Sequence, residues 1–273
     1  MATQTATEFR LGVLGAGRLG EAIARAWLKR TGQAPLIWSR SGLCPGEKNA
    51  LRVEEGAWVA QWTTVFDAQS LLIAIPGKAF LQLAEDNERA RQFTGNIFSA
   101  SASLSCASLK RVFPQATVFC VSPFLIDGVN SIPMLVLRSS DLLPAKWLEV
   151  KAELELLGEV DVIEDEEIFA QLALLGASWP SVVLAGVQAA SAAGLKGIED
   201  QDASRIGRRI FFRAVQSLLS GCTNAESEGA AETADIATPG GITERGLQSL
   251  SEVNNLFESA FKQMQARANE LRA

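Results

Sequence analysis

The chain has 273 residues, of which 48% are hydrophobic and 21% charged, a composition that suits one or two ordinary folded domains with ample core. A net charge of −6 with scattered basic residues argues against nucleic acid as a partner. The absence of any histidine or tyrosine removes histidine triads, His–Asp dyads and histidine-ligated metal sites together, so no metal site is expected.

The other bulk features are consistent with a reducing compartment. Cys44, Cys106, Cys120 and Cys222 show no CxxC spacing and read as buried or idle thiols rather than a disulfide framework. The opening residues lack a basic-then-apolar signal pattern, and no run of eighteen or more apolar residues is apparent. The expected location is the cytoplasm, with no membrane partner.

Along the first 160 or so residues, short apolar runs alternate with helical patterning. Strands are predicted at 9–14, 35–38, 57–60, 71–75, 96–99, 117–121, 134–137 and 160–163, and helices at 21–30, 78–92, 105–112 and 147–157. Strands apolar on both faces, separated by helices, imply a parallel sheet covered on both sides. From about residue 164 the texture changes. Apolar residues recur at three and four positions through 168–175, 182–193, 206–219 and 247–271, and small residues crowd 185–194. Helices apolar on most faces must be buried, either within one chain or against a second subunit.

The first strand leads into Leu11-Gly-Val-Leu-Gly-Ala-Gly-Arg-Leu-Gly20, with Gly15, Gly17 and Gly20 at GxGxxG spacing ahead of a helix. That strand–turn–helix context makes Gly15, Ala16, Gly17, Arg18, Leu19 and Gly20 a candidate dinucleotide pyrophosphate site. Gly15 is expected to make the tight turn, Gly17 to let the pyrophosphate approach, and Gly20 to let helix and sheet pack. The second strand ends in Trp38-Ser-Arg-Ser41, where an NAD site usually has an acid for the ribose hydroxyls. Arg40, flanked by Ser39 and Ser41, instead suits a 2′-phosphate, so NADPH is the expected cofactor. The fourth strand ends in Ile75 and Pro76, followed by Lys78, and the fifth leads into a serine run containing Ser101. Both ends lie on the edge where such sheets hold ligands, although the serines suit a self-capping helix start equally well.

Near the C-terminus, Thr238-Pro-Gly-Gly-Ile-Thr243 precedes a helix-like stretch at 244–257. Alone it reads as a turn between helices; with the glycine loop upstream it becomes a pocket for a carboxylate. The glycines let consecutive backbone N–H groups converge on an anion, and the hydroxyls of Thr238 and Thr243 can cap or donate.

The order of these motifs resembles the pyrroline-5-carboxylate reductases over nearly the whole chain. Ala177-Ser-Trp-Pro180 is similar to that family's Gly-Ser-Gly-Pro helix start, and the helix ending at Gly194-Leu195 to its Ala-Gly-rich helix. Thr238-Pro-Gly-Gly-Ile-Thr243 is similar to its Ser-Pro-Gly-Gly-Thr-Thr. The resemblance implies an α/β N-terminal Rossmann dinucleotide-binding domain at 1–163 and an all-α C-terminal dimerisation and substrate domain at 164–273. It also implies a homodimer or higher homo-oligomer, and NADPH-dependent reduction of 1-pyrroline-5-carboxylate to proline. Ser178, Gly240, Gly241 and Ile242 would then bind substrate. Thr243 would sit near the ring nitrogen and Thr238 would shape the pocket.

The chain departs from that family at three places. Residues 121–128 read Val-Ser-Pro-Phe-Leu-Ile-Asp-Gly without the family's Asn-Thr pair; Ile75-Pro76 replaces its Lys-Pro with Lys78 displaced; and Ala102-Ser103 replaces its Ala-Gly. These leave open a different imine or opine-like substrate, or a non-catalytic NADPH-binding regulatory dimer. Sugar-acid and β-hydroxyacid dehydrogenases fit worse, because residues 178–194 hold no lysine, and prephenate-type enzymes need a histidine.

Overall fold

The structure, a computed structural model, describes residues 10–40, 57–124, 131–139, 142–222 and 251–272. In chain order the elements of the N-terminal part are β1 (Leu11–Leu14), α1 (Arg18–Thr31), β2 (Leu36–Trp38), β3 (Ala57–Trp58), a 3₁₀ turn (Trp62–Asp67), β4 (Ser70–Ile73), α2 (Gly77–Ala84), α3 (Glu88–Gln92), β5 (Asn96–Ser99), α4 (Cys106–Val112), β6 (Thr117–Pro123), β7 (Met134–Leu137), α5 (Pro144–Glu155) and β8 (Val160–Ile163). Four helices follow: α6 (Glu166–Ala177), α7 (Trp179–Gly194), α8 (Gln201–Cys222) and α9 (Ser251–Arg272).

The strands form one sheet in the order β3-β2-β1-β4-β5-β6-β7-β8. All pairs are parallel except β6 with β7, which run antiparallel with Val121 opposite Val136. The expectation of a wholly parallel sheet is corrected there. The short span from Phe124 to Pro133 cannot hold a crossover helix, so the chain returns beside the strand it has just left.

Successive residues of each strand face opposite sides, and both sides are covered. Leu14, Leu71, Ile73 and Ile97 pack with Phe80, Leu109, Phe113 and Phe169 from α2, α4 and α6. Val13, Ile37, Leu72, Phe98 and Phe119 pack on the other side with Ile23 and Trp27 of α1 and with Trp147 and Val150 of α5. Four phenylalanines, Phe66, Phe80, Phe93 and Phe113, interlock on the first side with centroid separations of 5.6–6.2 Å. Each such pair adds roughly 0.5–1.5 kcal/mol beyond its area burial.

The helices start where capping side chains allow. Asn87 Oδ1 accepts from Ala90 N (3.1 Å) and begins α3, which breaks in two the single helix expected over 78–92. Asp165 Oδ1 accepts from Glu167 N and Ile168 N (2.8 Å each) at the head of α6. Asp200 Oδ1 does the same for Ala203 N (2.6 Å) at α8.

Two compact units emerge, one of residues 1–177 with 265–273 and one of residues 178–264. The division falls after α6 because Phe169 is buried in the sheet's core, whereas the change of sequence texture lies at 163/164. Within the second unit, Trp179 meets Phe257 and Phe261 edge-on at 5.7 and 5.1 Å. Gly186 leaves room for Phe257, whose ring would lie 3.6 Å from a Cβ there. Yet much of its apolar surface is uncovered: Leu184 is 52% exposed and Ile210 61%. The stretch Glu166–Gly194 is also long and apolar enough to cross a membrane by length and composition, which corrects the reading that no such run occurs. Its first half is held on the sheet by Phe169.

A buried polar group lies at the amino edge of the sheet. Asn96 Nδ2 donates to Glu153 Oε2 (3.1 Å) and to Ser70 Oγ (3.3 Å), with all three residues at most 3% exposed. Asn96 Oδ1 and Glu153 Oε1 have no partner, so two acceptors face an apolar interior. Burial pushes the Glu153 carboxyl above its ordinary 4.5, against hydrogen bonds from Ser70 and Asn96 that pull it down. A carboxyl raised in the folded state holds its proton more tightly there than when unfolded. Its contribution to stability is therefore greatest below pH 4.5 and falls as pH rises through the folded value. Glu153→Gln supplies a neutral group that can donate to Asn96 Oδ1. It is expected to raise the melting temperature at pH 7, by the equivalent of about 1–3 kcal/mol, and to have little effect near pH 4. A lower melting temperature at pH 7 in scanning calorimetry would show that the ionised carboxylate is the stabilising form.

Candidate active site

The carboxyl ends of the central strands stop level with one another: Leu14 faces both Trp38 and Ile73, and Ile73 faces Ser99. The chain builds outward from β1 in both directions, so the strand order reverses between β1 and β4. Open α/β sheets bind ligands in the crevice at that edge. Backbone bonds hold its loops together: Gly15 N donates to Trp38 O (2.8 Å), Ala74 N to Leu14 O (2.8 Å) and Ala100 N to Ile73 O (3.0 Å).

The three glycines of the first loop meet three different constraints. Gly15 has φ +107°, and a Cβ on it would lie 2.6 Å from Ile75 Cγ2 and 2.7 Å from Ala74 O. Gly20 is buried in the first turn of α1, where a Cβ would be driven into the Gly15 carbonyl oxygen. Gly17 is the reverse case: it is exposed, and no described residue lies within 4 Å of where its Cβ would be. As the N-cap of α1 it brings no side chain to cover the helix start. The first-turn amides at Arg18, Leu19 and Gly20 therefore begin a 14-residue helix beside open space, an arrangement that suits a phosphate. Ala16 is buried beneath the loop, Leu19 half-buried, and Arg18 exposed.

The neighbouring loops bring most of the remaining sequence-predicted residues to the same edge. Ser39 is half-buried and Arg40 exposed directly after β2. Ile75 and Pro76 follow β4, Pro76 is the N-cap of α2, and Lys78 is exposed in its first turn. After β5 the serine run divides its work. Ser105 caps α4 by accepting from Ser108 N (3.1 Å), while Ser101 Oγ lies 3.1 Å from Ser103 Oγ, which accepts from Gly77 N (3.2 Å). Ser101 thus belongs to a brace between the β5–α4 loop and the start of α2. Gly77 and Ser103 went unrecognised as a pair in the sequence, and a Cβ on Gly77 would collide with both Ser103 and Leu104. A glycine directly after the strand-terminal proline was the available signal.

Ser41, Thr238, Gly240, Gly241, Ile242 and Thr243 lie outside the described residues, as does Asp127. Ser178 is exposed at the turn before α7 in the second unit. Of the altered segment, Pro123 ends β6 opposite Met134, and Phe124 N donates to Pro133 O (2.8 Å). The Phe124 ring occupies the space beside Gly176, where a Cβ would overlap it.

The fold is an open α/β sheet of Rossmann type followed by helices. Residues 166–271 match the domain family described as pyrroline-5-carboxylate reductase dimerisation. A pyrroline-5-carboxylate reductase of Aquifex aeolicus (strain VF5) is 24% identical over 247 residues, covering 89% of each chain. Among solved structures, the Plasmodium falciparum pyrroline carboxylate reductase with NADP bound superposes with a TM-score of 0.79. It is 14% identical and spans 98% of this chain and 100% of that one. A reductive aminase from Aspergillus terreus in complex with NADPH superposes at 0.60 with 17% identity, over 97% and 93% of the two chains. These likenesses establish the fold. Along most of its length the chain is similar to the pyrroline-5-carboxylate reductases, and residues 166–271 match the dimerisation domain of that family.

The glycine loop separates folding from binding in a way that can be measured. Gly20→Ala is expected to cost about 1–3 kcal/mol, because the methyl must displace the Gly15 carbonyl. Gly17→Ala, which enters open space, is expected to stay within about 0.5 kcal/mol of the parent chain. Paired thermal melts check both; equal destabilisation would mean that Gly17 is also closed in by the fold.

Proposed function

We propose that the chain reduces a cyclic imino acid with NADPH, and that 1-pyrroline-5-carboxylate, giving proline, is its first candidate substrate. The observation that carries this reading is the pairing on one sheet edge of an uncapped, open Gly17 helix start with Arg40 where an acid would otherwise stand. Both features fit a dinucleotide carrying a 2′-phosphate. The kinship with pyrroline-5-carboxylate reductases and with a reductive aminase supports imine reduction as the chemistry. Residues 1–163 would carry the cofactor and 164–273 the substrate pocket and the subunit interface. Exposed Leu184 and Ile210 give the interface a motive in the uncovered apolar faces of α7 and α8. A cytoplasmic homodimer or larger homo-oligomer, with neither nucleic acid nor membrane as partner, accords with this reading.

NADPH, when bound, supplies a hydride to the imine carbon. The chain's own contribution is positional. The Gly15–Gly20 loop and Arg40 fix the two phosphate ends, and the Ser101–Ser103 brace sets the loop beside them. Backbone amides of Gly240, Gly241 and Ile242 would hold the substrate carboxylate, with Thr238 shaping the pocket and Thr243 hydrogen-bonding the ring nitrogen. A protonated imine accepts hydride with little further acid assistance, which agrees with a chain that has no histidine. Orientation alone can contribute roughly 7–11 kcal/mol to such a transfer.

A second reading, reduction of a different imine, is favoured by one observation. Residues 121–128 lack the family's Asn-Thr pair, and within them Pro123 has no N–H and Phe124 sets an apolar ring against Gly176. A panel of cyclic imines with NADPH and NADH distinguishes the two. The first reading expects 1-pyrroline-5-carboxylate to turn over fastest, with Thr243→Ala lowering kcat at least tenfold. Preference for an imine without the ring carboxylate supports the second. Tight NADPH binding with no imine-dependent turnover identifies a regulatory dimer instead. Arg40→Ala is expected to raise the KM for NADPH by about 10- to 100-fold, the loss of one charged hydrogen-bonding partner, and to leave that for NADH nearly unchanged. An equal rise for both cofactors would remove Arg40 from the 2′-phosphate.

A further inference from the structure

Two cysteines separated by fourteen positions come together behind the cofactor edge. The sulfurs of Cys106 and Cys120 lie 3.2 Å apart, Cys106 as the first residue of α4 and Cys120 on β6 beside Ser99. Their surroundings differ. Cys120 is buried and its Sγ donates to Leu104 O (3.5 Å), whereas Cys106 is half-exposed on a cavity of about 570 Å³ that Lys110 and Arg138 also line. Leu104 ends the loop that braces α2 through Ser103, so the pair is two bonds removed from the Gly77 amide.

We propose that Cys106 and Cys120 are an oxidisable dithiol, closed to a disulfide by a hydroperoxide, and that closure shifts the loop at 100–104 and weakens dinucleotide binding. The consequence for binding rests on the reading of that edge as an NADPH site; the disulfide itself does not. Cys106 is the attacking sulfur. It is the accessible member of the pair, and hydrogen bonding with the Cys120 side chain and backbone holds its thiol below the ordinary 9.0, with burial opposing. Its thiolate attacks one peroxide oxygen, the O–O bond breaks, and the leaving oxygen takes a proton to depart as an alcohol, or as water from hydrogen peroxide. Cys120 then attacks the sulfur of the resulting sulfenic acid. The S–S bond forms as the S–O bond breaks, and hydroxide leaves with the Cys120 proton as water. Two thiols have given two electrons to one peroxide. Closing to a bond of about 2.0 Å draws the sulfurs together by roughly an ångström and takes from Leu104 O the S–H that it accepts.

The test uses the full chain treated with one equivalent of hydrogen peroxide, alkylated, and digested with trypsin without reduction. Trypsin cuts at Lys110 and Arg111 between the two cysteines, so a bond between them joins two peptides. The expected result is that joined pair, two hydrogens lighter than its parts, with a several-fold weaker NADPH affinity that dithiothreitol restores. Cys106→Ser and Cys120→Ala are both expected to bind NADPH like the untreated chain and to lose the response to peroxide. Sulfinic acid at Cys106 with Cys120 still alkylated, or cross-links to Cys44 or Cys222 instead, would overturn the dithiol. A formed 106–120 bond with unchanged NADPH affinity would overturn its effect on the loop. The joined peptide is read by mass whether or not NADPH binds, so failure of the cofactor reading is a separate result.

Discussion

The carbonyl of Gly15 and the α-carbon of Gly20 approach so closely that no side-chain atom fits between them. That contact sets where α1 begins relative to β1, because the turn must fold back on itself before the helix can start. Once α1 begins there, Ile23, Ala24 and Trp27 fall on the sheet and are buried. The same geometry leaves Gly17 at the outer corner of the turn, with open space on the side from which a phosphate would come. A single steric constraint between two backbone groups thus links the packing of the first helix to the accessibility of its N-terminal amides. The neighbouring loops are bound to it, through Gly15 N on Trp38 O and Ala74 N on Leu14 O.

The strands were legible in the sequence because both faces of the sheet are covered. Runs such as Leu71 to Ile73 and Ile97 to Phe98 are apolar throughout and show as such. Pairing direction was not legible in the strands themselves, because a strand apolar on both faces reads the same whichever way it runs. The break between α2 and α3 turns on one side chain, Asn87, whose cap competes with continuing the helix. The turn of the glycine loop was legible because its closest contact, Gly15 against Gly20, lies within five residues of chain. The Gly77–Ser103 brace and the Cys106–Cys120 pair were not, because strands and loops lie between their members.

The helical half poses an energetic question that the sheet does not. Exposed Leu184, Ile206, Ile210 and Leu256 leave apolar area in water at a cost of about 25 cal/mol per Å². A membrane would cover α6 and α7 by their composition, but α6 is already committed to the sheet through Phe169. A second copy of the chain offers the same small-residue surface in return, and the match to a dimerisation domain over 166–271 points the same way. The small side chains of α7, which contribute little to a core within one chain, suit close approach of another helix.

The absence of histidine constrains the chemistry more tightly than any residue present. Oxidation of an alcohol needs a base to take the hydroxyl proton, and among the described residues this strand edge brings Arg18, Arg40, Lys78 and serines, with no carboxylate in the loops after the strands. Reduction of an imine reverses the demand: the nitrogen can arrive protonated from solvent, and the protein has only to align donor and acceptor. On the proposed reading, an edge of glycine, proline, serine and guanidinium groups suits that task, since it limits backbone movement and holds phosphates without competing for the proton. Divergence at Pro123 and Phe124 leaves this frame intact, because neither residue holds the cofactor loops. On that reading, substrate choice can drift while the edge that would hold the cofactor is kept.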